Sequence, residues 1–235
     1  MSSNANSSKY LSETPYVDSS PELLRLCEKI RRQSSSKRDA AIAVFYIVRE
    51  IKWGASPIYR ASEALKRRKE PQICVSKAAL QVALCRKLGI PARFHYWRVR
   101  FSDEVVRRIN DLLFRESRRK FRNAELHHVA AEVYLGSWIV ADATIDKGLE
   151  PVFTSNEWDG ERDAYIKGFD FLEDCGVYAD VPKAVIEICG GRGLPFYLRP
   201  FSPLIMRAVN RWINDLLDRI RSLNETPLQA LPEGE

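Results

Sequence analysis

A thiol, an imidazole and a carboxylate are the reagents of nucleophilic acyl chemistry, and Cys74, His128 and Asp142 supply them in this chain. Cys74 opens an amphipathic run that continues to Leu88 and breaks at Gly89-Ile90-Pro91-Ala92-Arg93. A cysteine at a helix N-terminus sits among free N–H groups, which favour thiolate over thiol, and a neighbouring imidazolium adds to that preference. Residues 128–135, Gly136-Ser137 and residues 138–142 read as strand, turn and strand. Glycine at the first position of a two-residue turn suits type II′, and the antiparallel pairing brings His128 and Asp142 together as near-opposite residues. His127 points to the other face of the strand, and the spacing to Glu132 and Asp142 favours His128 as the base. His95 reads as a strand residue satisfied inside the fold.

The other cysteines, Cys27, Cys85, Cys175 and Cys189, have no imidazole nearby in sequence and read as structural. Five cysteines with no C-x-x-C pair predict neither a disulfide framework nor a zinc site, and no metal or organic cofactor is called for. At 235 residues and 45% apolar, the chain is long enough for one sizeable core. No apolar run reaches the roughly 18 residues of a membrane span, and residues 1–9 lack the apolar centre of a secretory signal. A soluble cytoplasmic protein is the expectation, with no membrane partner. The formal charge of +6 is moderate. Two basic runs, 66–69 and 115–122, precede the Cys and His segments; they read as solvated faces, or as the flanks of a cleft for an anionic substrate. They are not interleaved with an aromatic platform, so no nucleic-acid partner is expected.

The elements that must position the three residues can be placed around them. Residues 1–20 are Ser-rich and predict an arm or strap; residues 21–225 predict one domain, and 226–235 a polar tail. Pro21 begins one helix, and a second follows Ser34-Ser-Ser36. These two form an N-terminal cap, and residues 61–69 form a short third helix before Pro71. The Cys74 helix carries a broad apolar face and reads as the central one. Residues 92–101 alternate as a strand, and residues 103 to about 119 return to helical period, either as a docked helix or as a lid. Beyond Asp142 the chain reads as irregular and aromatic, through 151–160 and 169–178. A short helix near 183–189 follows, then a Gly-rich joint at 190–193 and a C-terminal helix over about 203–223. The Gly-rich joint lacks the Lys-Ser/Thr ending and the flanking strand of a phosphate loop.

From about Trp53 to Asp146 the chain resembles the transglutaminase-like superfamily, a papain-like group. The family's helix-opening Cys and Gly-Ile-Pro-Ala-Arg are matched by Cys74 and residues 89–93. Its His, Glu-Val-Tyr-Leu strand, Trp and Asp-Pro-Thr are matched by His128, residues 132–135, Trp138 and Asp142-Ala143-Thr144. The resemblance implies an α+β papain-like or transglutaminase-like core in which a nucleophile-bearing helix packs on an antiparallel sheet. It implies Cys74 as nucleophile, His128 as base and later acid, and Asp142 as orienter. The chain departs from the pattern at Gln72 (usually Gly), Ala143 (usually Pro) and Ala130 (often aromatic). The Cys74 backbone N–H is the natural oxyanion donor, and Gln72 or Trp53 is the second. The expected activity is acyl transfer or hydrolysis on a small-molecule or peptide acyl substrate. The alternatives are condensation or cyclisation of a small molecule by the same triad, and a catalytically silent module that binds an anionic partner.

Overall fold

The computed structural model describes residues 8–192 and 194–225. The first seven residues of the expected arm, Gly193 of the expected joint and the expected tail at 226–235 lie outside them. Four helices, α1 (Pro21–Gln33), α2 (Lys37–Arg49), α3 (Ala61–Lys66) and α4 (Cys74–Lys87), precede strand β1 (Ala92–Phe101). Helix α5 (Asp103–Leu113), strands β2 (Glu125–Tyr134), β3 (Trp138–Ala141) and β4 (Phe169–Tyr178), and helices α6 (Lys183–Cys189) and α7 (Ser202–Glu225) follow. The strands form one antiparallel sheet in the order β3-β2-β1-β4. The protein is therefore α+β, as the sequence predicts. No helix among the described residues is long and apolar enough to cross a membrane.

Local chemistry sets the helix limits. Ser20, Ser36 and Ser102 each accept a hydrogen bond from a first-turn N–H of α1, α2 and α5, and Pro21 occupies the first turn of α1. At the end of α4, Gly89 adopts φ +73°, its N–H donates to Arg86 O, and the N–H of Ile90 donates to Cys85 O. That double closure needs a left-handed residue, which glycine supplies, and Pro91 prevents continuation. Helix α5 ends at Leu113, short of the expected Arg119. Beyond it the closely spaced cations of residues 115–122 repel one another on any helical face, and the Asn110 side chain accepts from Phe121 N–H and donates to Phe121 O instead. Helix α3 likewise stops at Lys66.

Helix α4 is the peg of the fold: residues 74–86 are all buried. It lies between α1–α3 and one face of the sheet, where Phe94, Val129, Ala131, Val133 and Ala141 meet Val75, Ala79 and Val82 in the main core. Its polar residues reach backbone carbonyls, which is what makes their burial tolerable. Gln81 donates to Ala141 O, and Arg86 donates to Ala92 O, Ser12 O and Ala179 O. The bond to Ser12 fixes the segment before α1 across the domain, with Tyr10 and Val17 buried beneath it. A second cluster joins Val105 and Ile109 of α5 to Leu149, Phe153, Leu217 and Ile220, so α5 is docked by its apolar face.

Two regions differ from expectation. Residues 169–178, read as irregular, form the edge strand β4, whose pairing with β1 is interrupted by register shifts at His95/Trp97 and Arg98/Val99. The hairpin loop has three residues, 135–137, rather than two. Tyr134 pairs with Trp138, the N–H of Leu135 donates to Ser137 O, and Gly136 takes φ +104°. The ladder ends at Ala131 and Ala141, leaving His128 and Asp142 as diagonal rather than opposed neighbours. The register keeps them on one face, because their positions differ from a direct pair by an even number.

A candidate active site at the start of the central helix

Cys74 is the first residue of α4 and is 6% exposed. The first N–H groups of a helix have no partner within it, so the thiol lies beside unpaired donors at the positive end of the helix dipole. It touches β2 at the His127–His128 peptide, where the thiol donates to His127 O at 3.9 Å.

His128 and Asp142 are both buried, and His128 Nε2 lies 2.6 Å from Asp142 Oδ2. With Nε2 so engaged, Nδ1 is the nitrogen left for the thiol. Burial disfavours an imidazolium, but the charge and hydrogen bond of Asp142 outweigh it and, with the Cys74 thiol, push the His128 pKa up to about 10. Asp142 is held in return. Burial raises its pKa, the His128 cation and hydrogen bonds from His128 and Thr144 lower it further, and the net direction is down. Its backbone is fixed as well: its N–H donates to Ala164 O, and Asn156 Nδ2 donates to its carbonyl at 3.0 Å. Aromatic rings enclose the imidazole, with Trp97 and Phe169 stacked at 6.2 and 6.4 Å.

Lys77, one turn into α4, lies entirely inside the protein. Its Nζ donates to Arg49 O, Ile51 O and Thr144 O, tying the end of α2 to the segment just after Asp142. Burial lowers its pKa to about 7, against the pull of Asp146 and Asp142. Three acceptors match the three N–H bonds of the protonated amine.

The structure places the two other expected site residues beside α4 but uses the Gln72 amide and both backbone N–H groups elsewhere. The Gln72 amide donates to Ala64 O and Arg67 O, and its backbone N–H donates to Lys52 O. Trp53 N–H donates to Asp146 Oδ2 at 2.7 Å. Asp146 also receives Arg221 of α7 in a buried ion pair. Of the expected oxyanion donors, Cys74 N–H and the Trp53 indole are the ones without such an engagement among the described residues.

Sequence reasoning missed Lys77, Trp97, Asp146 and Asn156. Lys77 left a signal, a lone cation within the apolar run of α4; the others meet the site only through long-range packing. The remaining thiols are unlike Cys74 in setting. Burial pushes Cys27 up to about 11 and Cys85 and Cys189 up to about 12, which disfavours thiolate at all three.

A Cys-bearing helix on an antiparallel sheet that presents His and Asp is a cysteine-enzyme architecture. The model of the transglutaminase-like superfamily matches residues 25–143, from α1 past the end of β3 and just over half of the chain, and the protein belongs to that superfamily. Among solved structures, a "Putative Cysteine Protease from Cytophaga hutchinsonii" is similar at 17% identity and a TM-score of 0.44; the alignment covers 72% of this chain and 64% of that one. No curated protein matches the chain.

Proposed function

We propose that the protein is a cysteine acyltransferase or hydrolase in which Cys74, His128 and Asp142 act as nucleophile, acid–base and orienter. One observation carries the reading: Asp142 occupies Nε2 of a buried, raised-pKa imidazole, and the thiol that opens α4 meets β2 at the peptide just before that imidazole. In this reading the pair reacts as thiolate and imidazolium.

The thiolate attacks the carbonyl carbon of an amide, ester or thioester, forming a C–S bond and placing negative charge on the carbonyl oxygen. The Cys74 backbone N–H is positioned to receive that charge. As the tetrahedral species collapses, the bond to the leaving group breaks, and His128 Nδ1 gives its proton to the departing atom. Water or an amine then delivers a proton to Nδ1 and attacks the acyl carbon; the C–S bond breaks, and thiolate and imidazolium are restored. Asp142 keeps its charge throughout, holding the ring and stabilising the imidazolium.

The test is alkylation by iodoacetamide across pH with mass-spectrometric site assignment. Modification is expected to concentrate at Cys74 and to persist below about pH 8.5, the ordinary thiol value. In His128→Ala the reactive form is expected to move to higher pH. Slow labelling of Cys74 that His128→Ala leaves unchanged would overturn the assignment.

A further inference from the structure

A cleft of about 670 Å³ opens between the first half of α7, the 55–59 segment and the turn before α4. Its volume is in the range of small-molecule sites. One wall ends at Pro71, three residues before Cys74, so chain geometry holds their Cα atoms within about 11 Å. Another wall includes Cys189, the last residue of α6. Cys74 itself is not part of the lining.

The cleft's polar groups are unevenly used. Arg67 is held by Glu63 and Glu70. Arg207 and Arg211, one turn apart on α7, also line the cleft, and neither has a carboxylate within ion-pair distance among the described residues. The Ser56 hydroxyl is buried there with no partner among the described residues. The frame is fixed. The Asn214 side chain exchanges two hydrogen bonds with the backbone of Ala55, and α7 packs so closely that a Cβ on Gly54 would stand 2.4 Å from Asn214 Oδ1. Arg207 and Arg211 outnumber Asp215, the other charged side chain of the lining with no ion pair among the described residues, so the cleft keeps an excess of guanidinium that suits an anionic oxygen cluster.

We infer that this cleft seats a carboxylate- or phosphate-bearing end of the acyl substrate, with Arg207 and Arg211 as its anchors, while the reacting carbonyl reaches Cys74. The inference rests on the acyl-transfer reading and adds a substrate class to it.

The experiment uses bromoacetamide reagents that carry a carboxylate, a phosphate or a neutral methyl ester on alkyl spacers of increasing length. Labelling of Cys74 is followed in wild type and in Arg207→Gln/Arg211→Gln, both changes being on the exposed side of α7. At one spacer length the anionic reagents are expected to label Cys74 saturably and about tenfold faster than the neutral one, the gain of one charge-assisted contact. The double variant is expected to lose that preference and to keep its rate with iodoacetamide. The better of the carboxylate and phosphate series identifies the anion. Equal rates for charged and neutral reagents at every length, or a preference that survives the double substitution, overturns the inference. If iodoacetamide fails to label Cys74 even in wild type, the acyl-transfer reading is what fails. Calorimetry with the unreactive acetamido analogues then decides the cleft separately: binding lost in the double variant supports it, and no binding to wild type sinks it.

Discussion

His128 and His95 stand on neighbouring strands, and the indole of Trp97 stacks on both, 3.9 Å from the His95 ring and 6.2 Å from the His128 ring. Each imidazole is paired with buried carboxylate, and in each the pull of the carboxylates exceeds the opposing effect of burial, so both pKa values rise. They differ at the second nitrogen. His95 has Nδ1 on Glu132 at 2.5 Å and Nε2 on Asp174 at 2.8 Å, and Glu132 is shared with Arg93. No ring nitrogen of His95 is left for chemistry. His128 gives one nitrogen to Asp142 and, in the proposed reading, keeps the other for the Cys74 thiol. His127 is a third case: its Nδ1 meets Tyr96 OH at 2.5 Å, and burial together with Arg98 lowers its pKa. A histidine–carboxylate pair is therefore a structural tie or half of a reactive site according to what faces the remaining nitrogen.

Asp142→Asn should produce the largest effect. It leaves a buried imidazole without its counter-charge, at a cost of about 3–5 kcal/mol, and it presents an amide where the ring needs an acceptor. Acyl transfer should fall on the order of 10⁴-fold, the loss that follows when such an orienter is neutralised. The pH dependence gives an independent readout. His128 has a folded pKa raised from 6.5 to about 10, so its stabilisation is complete below about pH 6.5 and is lost as pH rises through 10. Urea titrations at pH 6 and pH 10 should show that loss as a difference between wild type and the variant, because the opposite contribution of Lys77, whose pKa is lowered to about 7, is common to both. An unchanged pH dependence would show that His128 is not held as an imidazolium by Asp142.

Glu132→Gln should come second. It removes the shared acceptor of Arg93 and His95, both partly enclosed, at about 1–3 kcal/mol of stability. Iodoacetamide labelling of Cys74 should keep its rate and pH profile, because Glu132 serves the tie and not the thiol. A shift in the Cys74 profile would mean that Trp97 transmits charge between the two histidines, and the contrast would fail.

The parts of the molecule built from local signals were legible in advance, and those built from distant contacts were not. Cys74, Gly89 and Pro91 bracket α4 by capping chemistry alone, and the 128–142 hairpin announces itself by alternation around Gly136. Strand β4 was hidden because Asp170, Glu173 and Asp174 mark an exposed edge, and the register shifts opposite His95 and Arg98 break the two-residue period. The end of α5 depends on Asn110 meeting the backbone of Phe121. The fate of the Trp53 N–H depends on Asp146 and Arg221, which are 75 residues apart, a relation no window along the chain contains. In the same way, that His95 is doubly held follows only from β4 pairing with β1.

Asp174→Ala is the smallest change and the most direct probe of the comparison. Asp174 is a largely exposed carboxylate on the edge strand, so its pair with His95 should contribute at most about 1 kcal/mol. Its removal frees His95 Nε2 and leaves Glu132 on Nδ1, so that His95, like His128, has one ring nitrogen on a carboxylate and one open, with the roles of the two nitrogens exchanged. The lost partner lowers the His95 pKa, so more of the ring is neutral at pH 7, and acylation by diethyl pyrocarbonate should appear at His95 where wild type resists it. Acyl transfer by the protein should not change, since no cysteine faces the freed nitrogen. If the variant gained or lost turnover, a free ring nitrogen beside a carboxylate would itself be sufficient to alter the chemistry, and the weight placed on Cys74 would have to be shared.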